Sequence, residues 1–118
     1  MRIICVDDEL PARENFRFTV SSFPEVSSLE LFRNAETAVE WVRNNPVDVA
    51  FLDIEMPGCN GLSLSRTLHE INPGMRLVFV TAYNQYAMEA WQTDAVGYVL
   101  KPYIGVTVSP LSDETAGI

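Results

Sequence analysis

Four polar groups stand where otherwise apolar runs of the chain come to an end. Asp7-Asp8-Glu9 closes a run that starts at Arg2, Asp53 closes Asp48–Asp53, Thr81 closes Arg76–Thr81, and Lys101 follows Ala95–Leu100. Two carboxylates about 4 Å apart repel by roughly 4 kcal/mol at an effective dielectric near 20, so Asp7, Asp8 and Asp53 brought together would need a cation. A hard divalent ion suits all-oxygen ligands, and Mg²⁺ commonly takes one or two carboxylates plus waters while keeping room for phosphate oxygens. A carboxylate such as Asp53 can also attack phosphorus and yield an aspartyl phosphate. Lys101 and the Thr81 hydroxyl would then meet the oxygens of the transferred group. That combination describes phosphoryl transfer.

Each residue alone has a plainer use. Asp7-Asp8 could cap a helix, Asp53 before Ile54-Glu55-Met56-Pro57-Gly58 could be a turn residue, Thr81 a strand-end hydroxyl, and Lys101 a solvated cation. The conjunction at four strand ends favours a site. His69 reads as a surface residue of a helix, and Trp41 and Trp91 as packing residues.

The elements that must position these groups follow from the apolar pattern. Arg2–Asp7, Asp48–Asp53, Arg76–Thr81 and Ala95–Leu100 are continuous apolar stretches of strand length, the pattern of strands buried on both faces. Leu29–Phe32 is shorter and carries Glu30, so it reads as an edge strand. Between them Ala12, Phe16, Val20 and Phe23 mark one helical stripe, with Pro11 suited to its first turn. Ala35, Ala38, Val39 and Val42 mark a second after Asn34, and Leu64, Leu68 and Ile71 a third after Asn60. A weaker fourth helix is expected over Asn84–Gln92. The alternation predicts an α/β fold, a doubly wound sheet of five parallel strands. In such a sheet all strands deliver their carboxyl ends to one edge, where ligands bind.

The 118 residues suffice for one domain, and 47% hydrophobic with 20% charged residues excludes a disordered or fibrous chain. A net charge of −8 would repel phosphate backbones and anionic lipids, so this segment is not expected to bind nucleic acid or membrane itself. The N-terminal apolar run is too short for a signal peptide, and Cys5 and Cys59 fit neither a zinc site nor a redox pair, which points to a cytoplasmic location.

At these residues the sequence closely resembles the receiver domain of two-component response regulators. The likeness rests on Val6-Asp7-Asp8-Glu9, Leu52-Asp53-Ile54-Glu55-Met56-Pro57-Gly58 with Asn60-Gly61, Val80-Thr81-Ala82-Tyr83, and Tyr98-Val99-Leu100-Lys101-Pro102. Asp-Glu-Leu-Pro-Ala-Arg-Glu and Val-Thr-Ala-Tyr-Asn-Gln-Tyr-Ala look most like transcriptional regulators that carry a LytTR-type DNA-binding domain. The resemblance implies a flavodoxin-like sheet of order 2-1-3-4-5 and makes Asp53 the phosphoacceptor. It also implies a Mg²⁺ site of Asp7, Asp8, Asp53 and the Glu55 backbone carbonyl, with Asp7 acting through water. Thr81, Ala82, Lys101 and Tyr98 become the phosphate-binding and switch residues, and Lys101-Pro102 resembles the family's cis peptide.

A sensor histidine kinase would be the donor, a homodimer a possible assembly, and transcription control the output of the full-length protein. The alternative reading is a Mg²⁺-dependent phosphohydrolase with an aspartyl nucleophile. Such enzymes place the nucleophile on the first strand with a second Asp two residues on, whereas Asp53 lies on the third and Glu55 follows. The receiver is expected to span residues 1–102, with 103–118 an atypical C-terminal tail. In that tail the family's fifth helix looks absent or replaced, and no effector domain is visible. Tyr103–Ser109 alternates at strand period and is expected to pair with another copy.

Overall fold

A computed structural model describes residues 1–56, 58–81 and 97–100 of the chain. The elements run β1 (Arg2–Val6), α1 (Leu10–Val20), β2 (Ser28–Phe32), α2 (Ala35–Asn44), β3 (Val49–Asp53), β4 (Glu55–Met56), β5 (Cys59–Asn60), α3 (Gly61–Ile71), β6 (Arg76–Thr81) and β7 (Gly97–Leu100). The main sheet has the order β2-β1-β3-β6-β7 with parallel pairing throughout, which is the doubly wound arrangement expected from the sequence. Expectations for the fourth helix, for Ala82, Trp91 and Lys101, and for the tail 103–118 lie outside the described residues.

Strand burial follows the apolar pattern. β3 is buried at every position and β1 at all but Arg2, whereas β2 at the edge alternates between exposed and half-buried residues. Successive side chains of a strand point to opposite faces, so each central strand feeds two cores. Ile4, Val6, Ala50, Leu52, Leu77 and Phe79 pack with Ala38 and Val42 of α2 and with Leu64 and Leu68 of α3. Ile3, Cys5, Val49, Phe51, Val78 and Val80 pack with Phe16 and Val20 of α1. There the rings of Phe16 and Phe51 meet with centroids 4.9 Å apart at a tilt of 55°. Phe23 continues the helical stripe in sequence but lies past the end of α1, and still packs against this second core.

Local signals set the helix ends. Asn34 Oδ1 accepts from the Thr37 amide at 2.9 Å and starts α2, and Asn60 Oδ1 accepts from the Leu62 amide at 2.7 Å and starts α3, as their types predict. Asn72 ends α3, its amide donating to the Leu68 carbonyl at 2.9 Å. Trp41 packs on Phe32, with ring centroids 6.0 Å apart. His69 is half-buried instead of lying on the surface, because the third helix sinks more than its apolar stripe into the sheet. No helix among the described residues is long and apolar enough to cross a membrane.

The amino ends of β1 and β3 are joined by an ion pair. Arg2 Nε and Nη2 donate to the two Asp48 carboxylate oxygens, each at 3.1 Å, and the Arg2 amide donates to Asp48 Oδ2 at 2.7 Å. The Arg2 side chain and amide together hold the Asp48 carboxyl down to about 2 from an ordinary 3.8. A carboxyl whose folded value is depressed stabilises the fold above its unfolded value and loses that contribution as pH falls toward the folded one. The Asp48 contribution is therefore complete above about pH 4 and lost between about pH 4 and 2. Asp48→Asn is expected to lower the melting temperature slightly at every pH above about 4 and to leave it unchanged below about 2, so that the acid limb between them is flattened. The effect should be small and should shrink with salt, since both side chains are more than a third exposed.

Candidate functional site

The parallel strands bring their carboxyl ends to one edge, and the acidic residues of β1 and β3 meet there. Carboxylate oxygens of Asp7, Asp8 and Asp53 all lie within 4.8 Å of one another, although 45 residues of sequence separate Asp8 from Asp53. Asp7 is 1% exposed and Asp53 6%, with Asp8 half-buried. At that spacing each pair of ionised carboxylates repels by roughly 3 to 4 kcal/mol at an effective dielectric near 20, a cost the fold carries in the absence of a cation. Three hard oxygen donors at the mouth of an α/β sheet fit a small divalent ion and disfavour softer metals.

The turn that carries Asp7 and Asp8 is held by main-chain bonds. The Asp7 amide donates to the Phe32 carbonyl at 2.9 Å, tying the end of β1 to the end of β2. Asp7 Oδ1 accepts from the Glu9 amide at 3.0 Å, and Arg13 Nη1 donates to the Asp7 carbonyl at 2.7 Å. Sequence alone left Asp7-Asp8 equally suited to capping the first helix. The N-cap is instead Glu9, which makes no side-chain cap bond, so the two aspartates are left facing the sheet edge.

Asp53 is fixed from its far side. After it the chain forms a small antiparallel hairpin of β4 and β5, in which Glu55 pairs with Asn60 and Met56 with Cys59. No strand is expected here from the sequence, because two-residue strands are too short to show a period. Gly58 turns the hairpin in the left-handed region at φ 72°, where a side chain would be strained. The hairpin closes on α3 through the Gly61 amide, which donates to the Ile54 carbonyl at 2.8 Å. Gly61 has no room for a side chain, since a Cβ there would overlap the Asp53 carbonyl oxygen and approach the Asp53 carbonyl carbon to 2.9 Å. The motif contained this glycine, but only the packing reveals that it lies against the backbone of Asp53.

Thr81 ends β6 beside Leu100 of β7, and Asp53 pairs with Val80, so Thr81 belongs to the same edge as the three aspartates. Tyr98 sits in β7 opposite Phe79. Lys101 is the next residue in sequence and, with Ala82, lies beyond the described residues.

Comparison with known proteins fits this geometry. A family model described as the response regulator receiver domain matches residues 3–107. The chain is 42% identical over 103 residues to an uncharacterized response regulatory protein of Yersinia pestis, covering 86% of this chain and 42% of that protein. It is 38% identical to the sensory transduction protein LytT of Enterococcus faecalis, covering 87% of this chain and 43% of LytT. The chain thus spans less than half the length of these curated relatives. Among solved structures, the response regulator TrrA of Thermotoga maritima in complex with Mg²⁺-BeF superposes with a TM-score of 0.82 at 26% identity, covering 98% of each chain. The response regulatory domain of mrkE from Klebsiella pneumoniae gives 0.79 at 29% identity, covering 87% of this chain and 84% of that one.

Proposed function

We propose, from the premise that the chain belongs to the response regulator receiver domain family, that Asp53 accepts a phosphoryl group and that the modified edge switches an output surface. The observation that carries this reading is the meeting of the Asp7, Asp8 and Asp53 carboxylates at the carboxyl ends of β1 and β3. Asp7, Asp8, Asp53 and the Glu55 carbonyl would hold Mg²⁺, a reading supported by the hard donor set and by the Mg²⁺-BeF complex of the similar TrrA. Bound there, the ion neutralises carboxylate charge and charge on the phosphate oxygens.

The chain's own part is attack and positioning. A carboxylate oxygen of Asp53 attacks the phosphorus of a phosphohistidine donor, the P–N bond breaks, and its electron pair stays with the imidazole leaving group. Thr81, Ala82 and Lys101 are assigned to the transferred oxygens, and Thr81 and Tyr98 to the change of state that follows. The receiver unit is taken as residues 1–102, followed by the tail 103–118. The donor is a sensor histidine kinase, the location cytoplasmic, and the output transcription control by the full-length protein.

Incubation with acetyl phosphate tests the reading. With Mg²⁺ the intact mass is expected to rise by one phosphate, and chelator should prevent it. Continuous turnover of a generic phosphate monoester would instead favour a phosphohydrolase. Mg²⁺ alone is expected to raise the melting temperature, because a ligand that binds only the folded chain adds about 2.7 kcal/mol at a hundredfold excess over its Kd. Asp8→Ala should remove most of that gain, and an undiminished shift in this variant would move the metal elsewhere.

A further inference from the structure

The turn that bears two of the three clustered carboxylates is bonded by one residue of α1 at both of its flanks. The Arg13 amide donates to the Glu9 carbonyl at 3.1 Å, and Arg13 Nη1 donates to the Asp7 carbonyl at 2.7 Å. Asp8 lies between these two carbonyls in the chain. Because the side-chain bond falls on a main-chain oxygen, it uses no carboxylate oxygen that a cation would need. Its donor is a guanidinium, and a charge-assisted bond of this kind is roughly twice as strong as a neutral one.

The turn needs such a restraint for two reasons. Asp7, Asp8 and Asp53 repel one another at separations within 4.8 Å, and that repulsion acts to open the turn and carry Asp8 toward solvent. The usual device for fixing the start of a helix is missing, since Glu9 makes no side-chain cap bond and the first turn of α1 holds no acidic residue.

We propose that Arg13 is a positioning residue of the cation site, holding Asp7 and Asp8 in ligating geometry through its bond to the Asp7 carbonyl. The proposal rests on the metal reading given above and adds a residue that touches neither metal nor phosphate. It carries a sign that separates it from simple electrostatics. Removing a positive charge beside an acidic cluster should, by Coulomb attraction alone, tighten binding of Mg²⁺. Loss of the bond that holds the ligands should weaken it, since partners that orient metal ligands typically contribute 10- to 100-fold in affinity.

The test is calorimetric titration of the full 118-residue chain with Mg²⁺, wild type against Arg13→Gln and Arg13→Lys. Arg13→Gln is expected to weaken Mg²⁺ binding about tenfold despite the more negative cluster. Arg13→Lys, which keeps the charge on a less extended donor, should fall between the two. Metal-free melting and circular dichroism report folding separately. A lowered melting temperature with unchanged Mg²⁺ affinity would make Arg13 a merely structural residue and overturn the proposal, as would tighter binding in either variant. Should Arg13→Gln fail to fold, Arg13→Lys decides by the same criterion. A wild-type chain that binds no Mg²⁺ fails differently, since it overturns the metal site itself and the role of Arg13 with it.

Discussion

Asp53→Asn is expected to abolish phosphoryl uptake from acetyl phosphate while leaving the fold intact. The substitution keeps the shape of the side chain and removes the anionic oxygen proposed as the nucleophile in the carboxylate cluster. An amide offers no comparable lone pair for attack on phosphorus, so the intact mass should stay at that of the unmodified chain under conditions that fully shift the wild type. The same change relieves two of the three carboxylate repulsions. The metal-free variant should therefore melt higher than wild type, by something on the order of 1 kcal/mol once solvent screening is allowed for. A phosphate gained equally by Asp53→Asn would place the acceptor on another residue, and a lowered metal-free melting temperature would contradict the repulsion argument.

Gly61→Ala should be the most damaging single-methyl change in the described part of the chain. Its Cβ would meet the Asp53 carbonyl and the Ile54 Cα, both main-chain groups at the end of a fully buried strand, so no flexible side chain can swing aside. Either α3 separates from β3, breaking the 2.8 Å bond from the Gly61 amide to the Ile54 carbonyl, or the Asp53 backbone moves. We expect a loss of about 3 kcal/mol, at the upper end for overpacking, together with a fall in the Mg²⁺-dependent rate of phosphorylation. Gly58→Ala is the control. It is strained by a φ of 72° but meets nothing within 4 Å, so about 1 kcal/mol and little change in rate are expected. Equal melting losses in the two variants would show that the close approach at Gly61 is not what the fold depends on.

Much of this architecture is legible in the residues. Continuous apolar runs mark β1, β3 and β6 as buried on both faces, Glu30 marks β2 as an edge, and Asn34 and Asn60 announce their helices by the hydrogen bonds they later make. The meeting of Asp7, Asp8 and Asp53 also follows, because parallel strands have no choice about which edge receives their carboxyl ends. Features that depend on reach or clearance are not legible. Nothing in the letters says that Arg13 turns back to the Asp7 carbonyl, that Glu9 and not an aspartate begins α1, or that Gly61 lies against Asp53. Two-residue strands such as Glu55–Met56 are likewise invisible, since a period of two needs more residues than that to appear.

The sheet acts as a partition between two separately packed layers. Ile4 and Cys5 are covalent neighbours, yet one belongs to the layer under α2 and α3 and the other to the layer under α1. Among the described residues the two layers share no packing partners, so substitutions on opposite sides should combine additively, while those within one layer should compensate or aggravate one another. Drift in the sequence of one layer is therefore constrained from within that layer. The surface formed by α2 and α3 can diversify while the contacts of Phe16 and Val20 of α1 stay as they are, with the aspartate edge supported from both sides throughout.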